Sequence, residues 1–288
     1  ESLARIDVLL FDIQDVGSRT YTYLSTLGES MVAAAAAGIP VVVLDRPNPL
    51  GGLVFEGPVM KAEHESFIGW GPVPVSHGMT AGEVARFYNE ELAIGCALGV
   101  VRMRGWRRSM LWEETGLDWV QTSPHIPHSL SAHLYIATGM VGGITENVNE
   151  GIGTTLPFET IAAEFVDADL LLATLAGARL PGLRMRPVHY TPRYGKFEGK
   201  TVHGVQFLPS DLRAVRPVRT ALTILWALQR LYPDDVVWRD EAVLGRHWGD
   251  MRVFEALRAG KTPADIERAF APELEAFAQR RAKVLLYD

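Results

Sequence analysis

The chain has 288 residues and is 48% hydrophobic, which is enough apolar material for one large core or two modest ones. Its net charge of -6, with both signs mixed and no basic run, argues against a nucleic-acid partner or an anionic membrane surface. No apolar stretch reaches the ~20 residues that span a bilayer, and Cys96, the single cysteine, excludes an intrachain disulfide.

The first elements predict a strand–helix–strand unit. Residues 6–11, which are apolar except for Asp7, predict a continuous rather than an alternating strand, as is typical of a fully buried strand in a parallel sheet. Ser18 can cap the next helix, Gly38 ends it, and residues 39–44 predict a second buried strand. Because a buried strand lies so close to Glu1, we expect the chain to be an excerpt of a longer protein.

Residues 48–79 predict a long irregular segment, and its aromatic side chains favour a functional loop over disorder. Thr80 and Glu83 have the spacing of a capping box at the start of a helix that reaches about residue 94. Residues 97–103 predict a third strand. A second irregular, site-forming segment is expected over residues 112–153.

The later part of the chain predicts helices and strands of another kind. Residues 168–176 predict a helix, residues 183–191 and 202–208 predict strands, and residues 217–231 predict a second helix. A last helix is expected from Thr262, with Pro263 at its first position. The chain therefore belongs to the α/β class.

Polar side chains follow the first two strands directly. In an open α/β sheet, ligands bind beyond the carboxyl ends of the strands, so these side chains are candidates for a binding site. The alternative is that the acids only cap helices or close turns. Arg107 and Arg108 follow the third strand at the same rim. The candidates after the first two strands are Asp12, Gln14, Asp15, Asp45, Arg46 and Asn48.

Several cofactor and nucleophile motifs are missing from the sequence. It contains no glycine-rich dinucleotide motif, no phosphate-binding loop and no Gly-x-Ser-x-Gly elbow. Five histidines lie within residues 64–133, but none forms a helical ligand pair, so we expect no metal and no cofactor.

Carboxylates offer the better chemistry, because glycoside hydrolysis uses a general acid and a second carboxylate. Glu56 has apolar neighbours that could raise its pKa, and Glu150 follows Asn147 in a glycine-rich loop. His77 could orient a substrate hydroxyl, and Arg46, Arg107 or Arg108 could bind a substrate carboxylate. Each has a plain alternative: a surface acid, a turn residue, a core histidine or a solvated arginine.

Short motifs spread over most of the chain resemble a bacterial family, once a domain of unknown function, of exo-acting β-N-acetylmuramidases. The motifs occur in the family's order. They include Phe11-Asp12-Ile13-Gln14-Asp15-Val16-Gly17, Leu44-Asp45-Arg46-Pro47-Asn48-Pro49, Glu56-Gly57-Pro58, His77-Gly78-Met79-Thr80, Gly105-Trp106-Arg107-Arg108 and Gly153-Thr154-Thr155.

The resemblance implies an N-terminally incomplete Rossmann-like catalytic domain over residues 1–156 and a smaller α+β domain over residues 157–288. It implies an exported glycosidase that removes terminal N-acetylmuramic acid from peptidoglycan fragments. The catalytic residues would be Glu56, His77 and Asp45. Substrate-binding residues would be Asp12, Gln14, Asp15, Arg46, Asn48, Arg107, Asn147 and Glu150.

Three departures from the family pattern leave other functions open. The family's Gly-Pro-Glu-His-Gly motif, whose glutamate is a catalytic candidate, is expected upstream of Glu1. His125 stands where relatives commonly have Asn, and Ile152 where many have Arg. The alternatives are a non-catalytic module that binds peptidoglycan sugars and, less favoured without a phosphate loop, a nucleotide-sugar enzyme.

Overall fold

The computed structural model describes residues 3–288, and the chain divides into two compact units. The first unit comprises Glu1–Asp118 and Pro272–Asp288, so the chain leaves this unit and later returns to it. The second unit comprises Trp119–Ala271. The boundary expected at residue 156 falls inside the second unit, because the segment from Trp119 onward makes most of its contacts there.

A three-stranded parallel sheet organises the first unit. Its strands have the order β1-β2-β5, with Leu9 opposite Val41 and Val41 opposite Leu98. The elements in chain order are β1 (Leu9–Phe11), α1 (Tyr23–Ala37), β2 (Val41–Leu44), β3 (Glu56–Val59), β4 (Pro74–Ser76), α2 (Ala81–Glu91) and β5 (Leu98–Val101).

The predicted strand–helix–strand unit is present, but β1 is shorter and more exposed than the sequence indicates. It has three residues, and Leu10 is 58% exposed, whereas Val41 and Val43 of β2 are fully buried. Among the described residues, β1 is an outer strand with one paired edge. The prediction of a fully buried first strand is therefore wrong.

Helix α1 begins later than predicted. Ser18 does not cap it; this residue forms a β-bridge with Ser76 and a hydroxyl hydrogen bond of 3.0 Å with Thr20. Gly38 ends the helix as predicted, because its φ of 69° is a left-handed conformation that favours glycine. The buried face of α1 carries Leu24, Leu27, Met31 and Ala34.

The capping box predicted at Thr80 and Glu83 is confirmed at the start of α2. By contrast, the segment expected to be irregular contains the antiparallel strands β3 and β4. Gly57, with a φ of 87°, and Pro58 interrupt β3. Both residues are rare inside strands, so this hairpin has little sequence signal.

The second unit contains an antiparallel sheet with the order β6-β8-β7. The strands and helices predicted from about residue 168 onward are confirmed, whereas α3 and α4 lie in a stretch expected to be irregular. The elements are α3 (Ser129–Leu134), a π turn (Tyr135–Gly139), α4 (Met140–Gly142), β6 (Thr160–Ala163), α5 (Ala168–Gly177), β7 (Leu183–Tyr190), β8 (Val202–Pro209), α6 (Pro217–Leu231), α7 (Glu241–Trp248), α8 (Arg252–Arg258) and α9 (Pro263–Ala282), whose last part belongs to the first unit.

Gly204 of β8 leaves no room for a side chain against β6. A Cβ atom at this position would lie 1.9 Å from the carbonyl oxygen of Ile161 on the neighbouring strand. That oxygen is backbone and cannot rotate away, so the pairing of β6 with β8 depends on a residue without a side chain.

Candidate active site

A cavity of about 530 Å³ lies at the carboxyl ends of the three parallel strands. Ligands of open α/β sheets bind at this edge, and small-molecule sites commonly have volumes of roughly 300–1,000 Å³. The strand-end positions predicted from the sequence thus include three cavity residues: Asp12, Asp45 and Arg46. The lining also includes Met103, Arg104 and Trp106, which follow β5.

The carboxylate of Asp45 is buried in the cavity wall and accepts four hydrogen bonds. Oδ1 accepts from the backbone N–H groups of Arg46 at 3.1 Å and Gly82 at 2.7 Å. Oδ2 accepts from the hydroxyls of Thr80 and Tyr287, both at 2.7 Å. Burial raises the pKa of Asp45, and the Tyr287, Gly82 and Thr80 donors oppose this rise. Because every partner donates, the site suits a fixed negative charge better than a proton donor.

Asp12 and Arg46 form an ion pair at the cavity. Nη2 and Nε of Arg46 each lie 2.7 Å from Oδ1 of Asp12, and both side chains are more than 40% exposed. Exposed pairs of this kind contribute only ~0–1 kcal/mol. A substrate carboxylate could therefore replace Asp12 on the Arg46 guanidinium at small free-energy cost.

Asp15, in the loop after β1, and His77 are both buried and form a hydrogen bond with each other. Nδ1 of His77 accepts the backbone N–H of Met79 at 3.1 Å, which leaves Nε2 to donate to Oδ2 of Asp15 at 3.3 Å. Gly17 N–H donates to the same Oδ2 at 2.6 Å. His77 is 0% exposed, so it supports the loop from inside.

Gln14 and Asn48 fasten the strand-end loops to each other. The Gln14 amide donates to the carbonyls of Asp15 at 2.7 Å and Pro47 at 2.8 Å. Asn48 is 2% exposed; its amide donates to the Met79 carbonyl at 2.9 Å, and its Oδ1 accepts the N–H of Leu50. Both amides thus act on backbone groups and hold the loops that carry the cavity residues.

Glu56 and Arg107 are not among the residues that line the cavity. Glu56 is half-buried in the first position of β3, directly opposite Ser76, the residue before His77. Arg107 is exposed beside Trp106 in the loop after β5.

Glu83 and Arg108 form a buried ion pair that the sequence did not predict. Arg108 Nη2 lies 2.5 Å from Glu83 Oε1, and the two side chains are 8% and 0% exposed. Glu83 also accepts the N–H groups of Thr80 at 3.0 Å and Leu286 at 2.8 Å. The pair therefore joins the start of α2 to residues 284–288, which we call the return segment.

Asn147 and Glu150, the other two predicted site residues, belong to the second unit. The Asn147 amide donates to the carbonyl of Asp235 and accepts the N–H of Val237, both at 2.8 Å. Asn147 thus ties two loops together.

The buried carboxyl of Glu150 lies beside Lys196. Burial raises the pKa of Glu150, and the Lys196 ammonium, 3.8 Å away, partly opposes this rise. The same ammonium donates to the carbonyls of Gly142, Thr145 and Val148. Lys196 therefore stabilises the loop that precedes Glu150 by hydrogen bonds from its ammonium group to three carbonyls of that loop.

Within residues 3–288, no group of three or more His, Cys, Asp or Glu side chains is arranged to hold a metal ion. The helices in that range are also too short or too polar to cross a membrane.

Two family models cover almost the whole chain. The model described as "Exo-beta-N-acetylmuramidase NamZ, N-terminal" matches residues 1–130, and its C-terminal counterpart matches residues 133–287. The chain belongs to the exo-β-N-acetylmuramidase NamZ family. The resemblance inferred from the short motifs is thereby confirmed.

Individual relatives agree with this assignment. The chain is 39% identical over 287 residues to the peptidoglycan β-N-acetylmuramidase NamZ of Bacillus subtilis (strain 168). This match spans 100% of the chain and 69% of that protein. A DUF1343 family protein of Bacteroides fragilis has a crystal structure that matches with a TM-score of 0.91 at 34% identity, over 98% of this chain and 75% of that one. A second DUF1343 family protein of Bacteroides fragilis matches with a TM-score of 0.78 at 24% identity, over 100% of this chain and 77% of that one. At this identity the match shows the fold alone. The predicted α/β class, a Rossmann-like domain followed by an α+β domain, is confirmed.

Sequence reasoning missed Met103, Arg104 and Tyr287. The first two follow β5 just as Asp12 and Asp45 follow β1 and β2, so the strand-end rule could have found them. Tyr287 lies 242 positions from Asp45, and no local pattern predicts that contact.

Proposed function

We propose that the chain is a glycoside hydrolase that releases terminal N-acetylmuramic acid from peptidoglycan fragments. The observation that carries the proposal is family membership over both parts of the chain, with 39% identity to a peptidoglycan β-N-acetylmuramidase. The cavity supports it, because its volume suits a sugar and it presents carboxylates and guanidinium groups.

Glycosidic bond cleavage requires a proton for the leaving oxygen and negative charge near the developing oxocarbenium ion. Asp45 suits the second requirement, because four hydrogen-bond donors surround its carboxylate and hold it in one orientation. Glu56 stays the proposed catalytic carboxylate on the ground of the family resemblance; it is half-buried at the start of β3 and does not line the cavity. His77 is a positioning residue that holds Asp15 and the loop after β1.

Arg46 is the proposed determinant of specificity. N-acetylmuramic acid carries a lactyl carboxylate that N-acetylglucosamine lacks, and Arg46 presents a guanidinium to the cavity. Its partner Asp12 is exposed and replaceable. Arg107 adds positive charge beside this wall. Substrate contacts by Asn147 and Glu150 stay predictions.

The proposed partner is a peptidoglycan-derived saccharide, with no nucleic acid involved, in keeping with the net charge of -6. Peptidoglycan lies outside the cytoplasm, so the proposal places the protein in a secreted or periplasmic location.

The test compares hydrolysis of a chromogenic N-acetylmuramic acid glycoside with that of its N-acetylglucosamine counterpart. We expect only the first to be cleaved, and Arg46→Ala to raise its KM by roughly 10- to 100-fold through loss of a charged hydrogen bond. Cleavage of only the N-acetylglucosamine glycoside would refute the assignment. Tight sugar binding without turnover would instead support the alternative of a non-catalytic binding module.

The catalytic role of Glu56 has its own test. Glu56→Gln should lower kcat by about 10²–10⁴-fold, as expected for removal of an acid–base group, with little change in Tm. Glu63→Gln is the matched control, because Glu63 is an exposed acid a few residues further along. Near-normal turnover by Glu56→Gln would remove Glu56 from the mechanism.

A further inference from the structure

The side chain of Tyr287 reaches the cavity wall from the return segment. Its hydroxyl donates to Oδ2 of Asp45 at 2.7 Å and accepts the backbone N–H of Met103 at 3.0 Å. Its ring meets the edge of Trp106 with centroids 5.0 Å apart, and the Arg102 guanidinium lies 5.7 Å from the ring centre. One side chain therefore contacts the ends of β2 and β5 and the loop that follows β5.

The return segment is held firmly enough to place this hydroxyl. Leu286 N–H donates to Glu83 at 2.8 Å, and the Asp288 carbonyl accepts the Arg108 N–H at 2.7 Å. The Val284 carbonyl accepts from Arg86 at 3.0 Å. These contacts fix the backbone on both sides of Tyr287.

The two oxygens of Asp45 are held by different kinds of donor. Oδ1 is held by backbone N–H groups, which remain in place when a side chain is shortened. Oδ2 depends on two hydroxyls, those of Thr80 and Tyr287. Thr80 is also the cap of α2, so Tyr287 is the donor that can be removed while this cap stays intact.

We propose that Tyr287 is the positioning residue that orients the Asp45 carboxylate and joins it to the wall formed after β5. The inference rests on the proposed function, in which Asp45 supplies fixed negative charge. Tyr287 acts through Asp45 and need not touch the substrate.

The proposal has an electrostatic consequence. Burial and the neighbouring Asp45 carboxylate raise the pKa of Tyr287, so its hydroxyl remains a donor at neutral pH. That hydrogen bond in turn lowers the pKa of Asp45 against the effect of burial. Loss of the hydroxyl should therefore raise the pKa of Asp45. The other charged groups on the elements around Asp45 are Glu83 and Arg108, Arg46 with its partner Asp12, and Arg102 and Arg104.

The test uses Tyr287→Phe, which keeps the ring against Trp106 and removes only the hydroxyl. Tyr232→Phe is the matched control, because the Tyr232 hydroxyl also accepts one backbone N–H and donates to one oxygen, both of Asp167 in the second unit. Two readouts are needed: NMR titration of the Asp45 carboxyl in the unliganded protein, and the pH profiles of kcat and KM.

For Tyr287→Phe we expect the Asp45 titration and the acid limb of kcat to move to higher pH by about one unit, the effect of one hydrogen bond to a charged group. We expect kcat to fall roughly 10- to 100-fold, as for a misplaced catalytic group, while KM changes less than about twofold. Tyr232→Phe should leave both readouts as in the unmodified protein. An unshifted Asp45 titration in folded Tyr287→Phe would overturn the proposal.

A second variant covers the case in which Tyr287→Phe does not fold. Difluorotyrosine at position 287 is a stronger hydroxyl donor of nearly the same shape, and it should shift the Asp45 titration to lower pH. A shift in the opposite direction, or none, would refute the proposal. If the unmodified protein cleaves neither glycoside while Asp45 still responds to both variants, the proposed function fails and the structural link stands.

Discussion

The Glu83–Arg108 ion pair makes a quantitative prediction about stability. Arg108→Met keeps an unbranched apolar stem but leaves the fully buried Glu83 carboxylate without the two guanidinium contacts, at 2.5 and 3.3 Å. Removal of one member of a buried pair costs about 3–5 kcal/mol, because the remaining charge is uncompensated. For a unit of this size, we expect Tm to fall by roughly 10–20 °C.

The assay is urea unfolding followed by circular dichroism, fitted with one transition for each unit. Arg280→Met is the matched control, because Arg280 pairs with Glu91 at 2.7 Å but is 32% exposed, and we expect it to cost only ~0–1 kcal/mol. Adding Glu83→Gln to Arg108→Met should restore about 1–2 kcal/mol, since the buried charge is then absent. If Arg108→Met and Arg280→Met lose the same stability within about 1 kcal/mol, the reasoning from burial is refuted.

Three further predictions concern folding stability. Gly204→Ala should lower the free energy of unfolding in urea by more than about 3 kcal/mol. Gly99→Ala is the control: its Cβ would meet only Val42 at 3.4 Å, so it should cost under ~1.5 kcal/mol. Equal losses would contradict the close approach of β6 and β8. Thr80→Ala should lower stability by about 1–2 kcal/mol through loss of the α2 cap, and an unchanged Tm would contradict this role. Burial raises the pKa of Glu150 in the folded state, so the contribution of this group to folding stability is most favourable below its unfolded pKa and is lost as pH rises through its folded pKa. Glu150→Gln should therefore flatten that decline in Tm. A pH profile of Tm identical to that of the unmodified protein would refute this reasoning.

Local signals in the sequence predicted much of the framework. The capping box at Thr80 and Glu83, the stop at Gly38 and the cap at Thr262 depend on contacts within a few residues, and all three are confirmed. The strand ends also predicted that Asp12, Asp45 and Arg46 lie close together, and all three line the cavity, because the edge of a parallel sheet follows from strand direction alone.

The errors and omissions arise where distant parts of the chain decide the structure. Ser18 has the chemistry of a helix cap, but its pairing with Ser76 leaves it outside α1. Residues 8–11 are as apolar as a central strand, yet among the described residues β1 has only one paired edge. The Glu83–Arg108 pair and Tyr287 depend on contacts across 25 and 242 positions, for which a single sequence contains no periodic signal.

The discontinuous first unit has a consequence for biogenesis. Asp45 and Tyr287 are 242 positions apart, and a ribosome that adds roughly 5–20 residues per second needs about 12–48 s to synthesise that interval. All of Trp119–Ala271 is made during this time, so the second unit can fold before the cavity receives its last hydrogen-bond donor. A nascent chain thus completes this wall of its candidate active site only after the whole second unit has been synthesised, and polypeptides that stop before Tyr287 would carry a cavity without this part of its wall.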